Sequence, residues 1–216
     1  MTHTPLAAAF VAAAVLVTGT AAAQERPAVS LTPANPAQWD IAGDAGWLAA
    51  DKSGDGTFGD DWYTALAGGL SVGRYLTPHL KTEVRATMTG DGRVYRQEQL
   101  PGNVPVFRAR EHHFRTAAIG AGVFYQFFDN QWFHPYAGGG LEVLREDHRV
   151  TVLEFSRPTV APSSSRDVSY AARPFVATGF KWYVAERAFL RAGIQASFSN
   201  RGSTHVVWMA GFGADL

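Results

Sequence analysis

The chain has 216 residues, 46% of them hydrophobic and 12% aromatic, with 22 glycines, no cysteine, and nineteen acidic against nineteen basic side chains. Balanced charge gives no bias toward nucleic acid or acidic surfaces, and the missing cysteines exclude disulfide staples and thiolate metal sites. A mean hydropathy of −0.09 is too low for a bundle of apolar helices but is expected where lipid-facing and lumen-facing residues alternate along strands.

Met1–Ala23 has the layout of a secretory signal, with an apolar core at Leu6–Val17 and a small-residue Ala21-Ala22-Ala23 site that places cleavage before Gln24. An uncleaved anchor is the alternative, but the core is short for a spanning helix of ~20 residues. Gln24–Gln38 carries Pro27, Pro33 and Pro36 and is expected to be a disordered periplasmic lead-in. Residues 39–216 then read as one domain of strands.

The first strand, Trp39–Ala50, sets Trp39, Ile41, Ala45 and Trp47 against Asp40, Ala42, Asp44 and Gly46. After a Gly/Asp loop at Asp51–Asp61, Trp62–Tyr75 puts Trp62, Thr64, Leu66, Leu70 and Val72 outward and Ala65, Ala67, Gly69, Ser71 and Gly73 inward. Leu80–Thr89 alternates most cleanly, Leu80, Thr82, Val84, Ala86 and Met88 opposing Lys81, Glu83, Arg85, Thr87 and Thr89. Gly90–Ala109, with Pro101 and Pro105, is expected to be a long polar loop. The fourth strand, Arg110–Phe127, turns Ile119, Ala121, Val123, Tyr125 and Phe127 outward, and Glu111, His113 and Arg115 share that parity beyond the bilayer.

His134–Arg145 is the fifth strand, followed by an expected loop at Asp147–Arg166. Arg173–Phe198 is a hairpin around Ala185-Glu186-Arg187, whose second arm sets Leu190, Ala192, Ile194, Ala196 and Phe198 against Arg191, Gly193, Gln195 and Ser197. The last strand, His205–Leu216, faces outward with Val206, Trp208, Ala210, Phe212, Ala214 and Leu216. Long connections alternate with short ones that carry Tyr75, Phe127, Phe128, Trp132, Phe133, Trp182 and Tyr183, the aromatic girdle of one membrane interface. The expected fold is therefore all-β, an eight-stranded antiparallel up-and-down transmembrane β-barrel with both termini periplasmic. A soluble sandwich with aromatic corners is the competing architecture.

The runs HPYAGGGLEV at His134–Val143, RPFVATGFKWYV and FLRAGIQASF resemble the small outer-membrane β-barrel family that includes the opacity proteins and the OmpA and OmpX barrels. The resemblance covers nearly all of residues 39–216 and implies architecture rather than an activity. It implies a last strand read by the barrel assembly machinery, with Gly211, Ala214 and Leu216 as the signal and Leu216 in place of the commoner terminal Phe. It also leads to the expectation that no peptidoglycan-binding domain follows strand eight.

Four constellations carry chemistry. The inward charges Asp40, Asp44, Lys81, Glu83, Arg85, Glu142, Lys181, Arg191 and Arg173 form either a paired structural plug or an ion path gated by partner exchange. Asp51-Lys52-Ser53-Gly54-Asp55-Gly56 copies half an EF-hand loop, but Trp62 stands where the bidentate Glu belongs, so turn formation accounts for it better. Ser199-Asn200-Arg201-Gly202 is similar to the nucleophile segment of lipid A deacylases, with Ser197 where the histidine should be and His205 as the only substitute. His112, His113 and Glu111 would make a metal corner only if adjacent strand residues pointed the same way, which they do not.

The expected role is non-enzymatic, structural or surface-interacting, in the cell outer membrane, through the external loops Gly90–Ala109 and Asp147–Arg166. No catalytic, cofactor or metal residue is assigned. Arg93, Arg96, Arg108, Arg110 and Arg149 are expected to engage lipopolysaccharide phosphates. A narrow solute channel, a lipid A hydrolase and a secreted lipocalin-like carrier are the alternatives. The carrier would require the charged face of Leu80–Thr89 to point to solvent.

Overall fold

In a computed structural model of the chain, residues 38–51, 62–100, 106–128, 132–154, 163–199 and 204–216 are described. The expected signal, most of the segment after it, and the half EF-hand beyond Asp51 lie outside them. The described residues form nine strands: β1 Trp39–Asp51, β2 Trp62–Tyr75, β3 Leu80–Thr89, β4 Gly92–Leu100, β5 Val106–Gln126, β6 Phe133–Glu154, β7 Ser163–Tyr183, β8 Ala188–Phe198 and β9 Thr204–Asp215.

All pairings are antiparallel between neighbours in sequence, and two more close the sheet: β1 with β9, and β3 with β5. The ring therefore has eight members. β4 is the ninth strand only by count, because it continues β3 along the same edge of β5. Met88 pairs with Ala117 and Gly92 with Phe114, leaving Thr89, Gly90 and Asp91 opposite Arg115 and Thr116. That is three residues against two, a β-bulge. The Thr116 amide, displaced from the ladder there, donates to Thr89 Oγ1 at 2.8 Å, and the Gly90 amide donates to the Leu66 carbonyl at 2.8 Å.

Alternation decides the two faces as the sequence indicates. Leu66, Leu70, Met88, Ile119, Leu141, Val176 and Phe212 stand exposed on the outside, while Asp40, Lys81, Glu83, Glu142, Lys181 and Arg191 are buried within. This arrangement is inside-out for a soluble protein and correct for a barrel in lipid. Along β2 the outward face from Trp62 to Val72 spans ten residue steps, ~34 Å, which at a tilt of ~40° gives ~26 Å of height, the thickness a bilayer core asks of a barrel.

Two stretches expected to be loops are strands instead. β4 and the start of β5 occupy most of Gly90–Ala109, and β6 and β7 run deep into Asp147–Arg166; only 101–105 and 155–162 there lie outside the described residues. The reason is physical. Above the apolar band the outward face turns polar and the inward face carries His112, Arg110 and Arg96 beside Phe114, so the apolar–polar period is lost although the hydrogen-bond ladder continues. The result is a four-stranded sheet, β4-β5-β6-β7, that projects beyond the ring at the end away from the short turns, where β7–β8 pairing stops at Phe175 and Ser197.

Candidate functional site

Charged side chains fill the lumen near the short-turn end and its middle. Lys81 lies 3.0 Å from Asp40 and 2.6 Å from Glu83, Arg85 lies 2.8 Å from Glu83, and Lys181 pairs with Asp40 and donates to the Tyr75 hydroxyl at 2.6 Å. Arg191 forms a two-pronged bond to Asp44 and reaches Glu83 at 3.4 Å. Tyr183 closes the row by donating to Asp215 at 2.6 Å, and Gln195 donates to Glu142 at 2.8 Å. Arg173 stands opposite Glu142 across β6 and β7. The expected inward charges are thus all inward, and five basic groups face five acidic ones once Asp215 is added. Tyr75 and Tyr183, expected in the aromatic girdle, turn their hydroxyls into this network instead, and Gln126 and Asp215, which were not foreseen, join it; all four lie at strand ends, where parity is hardest to read.

Toward the projecting end, rings replace charges. Tyr63 stacks on Phe114 at 4.7 Å, Phe114 on His148 at 4.4 Å, and His148 on His112 at 5.3 Å, with interplanar angles of 15°, 8° and 18°. Leu48, Ala50, Val207, Met209 and Val94 pack around this stack. Gly92 lies directly over the Tyr63 ring, where any Cβ would collide with it. His112 is buried in the stack while His113 turns outward, its Nε2 3.1 Å from Glu111 Oε1, so the two histidines serve opposite faces. Ser197 is buried beside His205, its cross-strand partner; Ser199 is described, but Asn200-Arg201-Gly202 lie outside the described residues.

The outer face of the projecting sheet carries a second cluster. Arg93 pairs with His113, His113 with Arg149, and Arg149 with Arg166, so four cationic or titratable groups form one row across β4, β5, β6 and β7. Below the row, Arg115 grips Asp91 with two hydrogen bonds and Arg166 grips Asp147 with two, one of 2.8 Å. The hydrogen bonds from Arg115 and Arg166 hold the Asp91 and Asp147 carboxyls below the ordinary carboxylate range. Arg93 lies 3.8 Å from Glu111, which also accepts from the Tyr95 hydroxyl at 2.7 Å. A cleft of about 170 Å³ opens among Asp91, His113, Arg115, Asp147, Arg149 and Arg166.

The five arginines expected to act together are divided by this geometry. Arg93 and Arg149 lie on the outer face; Arg96, Arg108 and Arg110 share the parity of buried His112 and Phe114 and turn to the other side. Arg145 and Arg166, absent from the sequence reading, take their place. Arg145, Asp147 and Arg149 at alternate positions were the available signal, but Arg166 enters through hairpin register alone.

A family model described as "Outer membrane protein beta-barrel domain" matches residues 10–214. Among curated proteins nothing matches. Neisserial surface protein A is similar in structure at 17% identity and a TM-score of 0.57, covering 82% of this chain and 97% of its own. Ail, the attachment invasion locus protein of Yersinia pestis, is similar at 10% identity and a TM-score of 0.50, covering 83% and 99%. At such identities these likenesses speak for the fold. The matched span, the closed eight-membered ring and its outward apolar band agree, and the chain belongs to the outer-membrane β-barrel family.

Proposed function

We propose that this protein is a non-enzymatic surface component of the outer membrane that makes its contacts through the sheet β4–β7, which projects outside the cell. The carrying observation is that the sheet continues past the apolar band with two open edges, β4 and β7, and with Ser163–Tyr170 of β7 exposed. Exposed strand edges offer rows of unused backbone donors and acceptors to an added strand or a ligand. In this reading Met1–Ala23 is removed on export, and the short turns and both termini of the mature chain face the periplasm. The barrel assembly machinery receives β9, and the amide of Leu216, just past its end, donates to the Trp39 carbonyl as the ring closes.

A structural role is favoured over a solute channel by the ion pairs that cross the lumen and by two voids there of only about 10 Å³ each, little more than one water apiece. Protease added to intact cells tests the placement. Cleavage within 101–105 or 155–162, with the barrel core left whole, is the expected result; cutting only after the outer membrane is opened would reverse the orientation.

A further inference from the structure

We propose that a depression in the lipid-facing wall, with Arg74 at its mouth, holds one anionic phospholipid of the periplasmic leaflet. It lies toward the short turns, away from the projecting sheet. The depression has a volume of about 630 Å³ and crosses β2, β3, β5 and β6. Side-chain size creates it: Thr82, Ala121 and Gly139 are short on the outward face, whereas Trp39, Val72 and Leu141 stand tall around them. Register gives it a direction. Arg74, Thr82, Val123 and Gly139 are successive cross-strand partners, a path of three strand spacings or ~14 Å. Arg74 is next to the last residue of β2, while Gly139 lies six residues beyond Phe133, where β6 begins. The path therefore climbs from the membrane interface into the hydrocarbon, as the stagger of tilted strands requires. That is the course of a lipid molecule, with its head at the rim and a tail along the wall.

Charge selects the head. Arg74 is exposed and has no ion-pair partner among the described residues; its guanidinium stands over the Trp39 ring, with Cζ 5.4 Å from the ring centre. At the edge of the hydrocarbon a cation without a counter-ion is costly, and a guanidinium is shaped to receive phosphate oxygens in pairs. Among the described residues of β1, β2, β3, β5 and β6, no carboxylate shares the outward face at that level. Glu83, beside the depression, points inward and is engaged by Lys81, Arg85 and Arg191. A zwitterionic headgroup thus finds a partner for its phosphate and none for its ammonium. Phosphatidylglycerol brings only the phosphate charge to be met.

The choice of leaflet rests on the extracellular placing of the projecting sheet, and the two fail separately: protease on intact cells reports the placing, whereas lipid retention by purified protein does not depend on it. The full chain is refolded into nanodiscs holding equal parts of phosphatidylglycerol and phosphatidylethanolamine with identical acyl chains, and retained lipid is read by native mass spectrometry. One phosphatidylglycerol per barrel should be kept, at least fivefold over phosphatidylethanolamine. Arg74→Gln should remove that preference. Ala121→Trp, which fills the floor and leaves the charge alone, should lower retention of both lipids at least threefold. Arg187→Gln, in an exposed turn outside the depression, should change neither. Folding of each variant is read on an unboiled gel, and should Ala121→Trp not fold, Ala121→Leu is read in its place. Equal retention of the two lipids by the unaltered chain, an intact preference in the Arg74 variant, or unchanged retention in the Ala121 variant overturns the proposal. Displacement of the phospholipid by equimolar lipopolysaccharide would make this a glycolipid site, and a dimer that Ala121→Trp dissociates would make it a contact between copies; either overturns it too.

Discussion

Asp40 is one of two hubs of the lumen, beside Glu83, because Lys81, Lys181 and the Tyr75 hydroxyl all converge on its carboxylate. Removing one member of a buried charged set leaves its partners uncompensated, a loss of ~3–5 kcal/mol. Asp40→Asn should therefore lower the urea midpoint of unfolding sharply, read from the fraction of folded band on an unboiled gel. Asp147→Asn, on the wet face of the sheet, should leave that midpoint where it was. The exposed pairs respond to acid instead. Because Arg115 and Arg166 depress the Asp91 and Asp147 pKa values in the folded chain, the folded state binds fewer protons there than the unfolded one. Their contribution is complete above the ordinary value of 3.8 and is lost as pH falls through the lowered one. The arginine Nε–H resonances of Arg115 and Arg166 should accordingly hold their positions from neutrality down to that value and move only below it.

At the scale of elements, the barrel strands were legible because each has one greasy and one polar face. β2 and β3 begin and end where their alternation does, and β1, β8 and β9 differ from it by a residue or two at their ends. The projecting strands were illegible because their outward face is polar, with Arg93, Tyr95, Glu111 and His113, while their inward face mixes Val94 and Phe114 with Arg96, Arg110 and His112, so neither face reads as apolar in the sequence. What holds this sheet down is its inner face, where Phe114 stacks between Tyr63 and His148 and Val94 packs alongside. Phe114→Ala should cost ~3–5 kcal/mol. Because the loss falls at the root of β4 and β5, amide exchange in those strands should accelerate far more than in β1 or β9, and equal acceleration throughout would mean the stack supports the whole ring. The outer row shows a different limit of sequence reading. Arg93 and Arg149 could be named from composition, but their meeting with Arg166 depends on the register of two hairpins, which no local pattern encodes.

For the whole molecule, closure is the decisive property. β1 joins β9 along eleven residue pairs, from Asp40 with Asp215 to Ala50 with His205, so the sheet has no free edge within the ring and opens only by losing a full interface. Unheated protein should run as a compact band on a detergent gel and as a slower one after boiling; a single position in both lanes would deny closure. The bulge at Thr89–Asp91 has a consequence for how such a surface can change over generations. In β3 the even-numbered side chains look outward, in β4 the odd-numbered ones do, and the extra residue between them is the phase shift. Loss or gain of one residue there would exchange the two faces of β4 at a stroke, sending Arg93 and Tyr95 toward the ring stack and Val94 and Arg96 to the outside, while every strand below kept its pairing. A single-codon deletion at this joint would thus rewrite what β4 displays, with the membrane wall untouched.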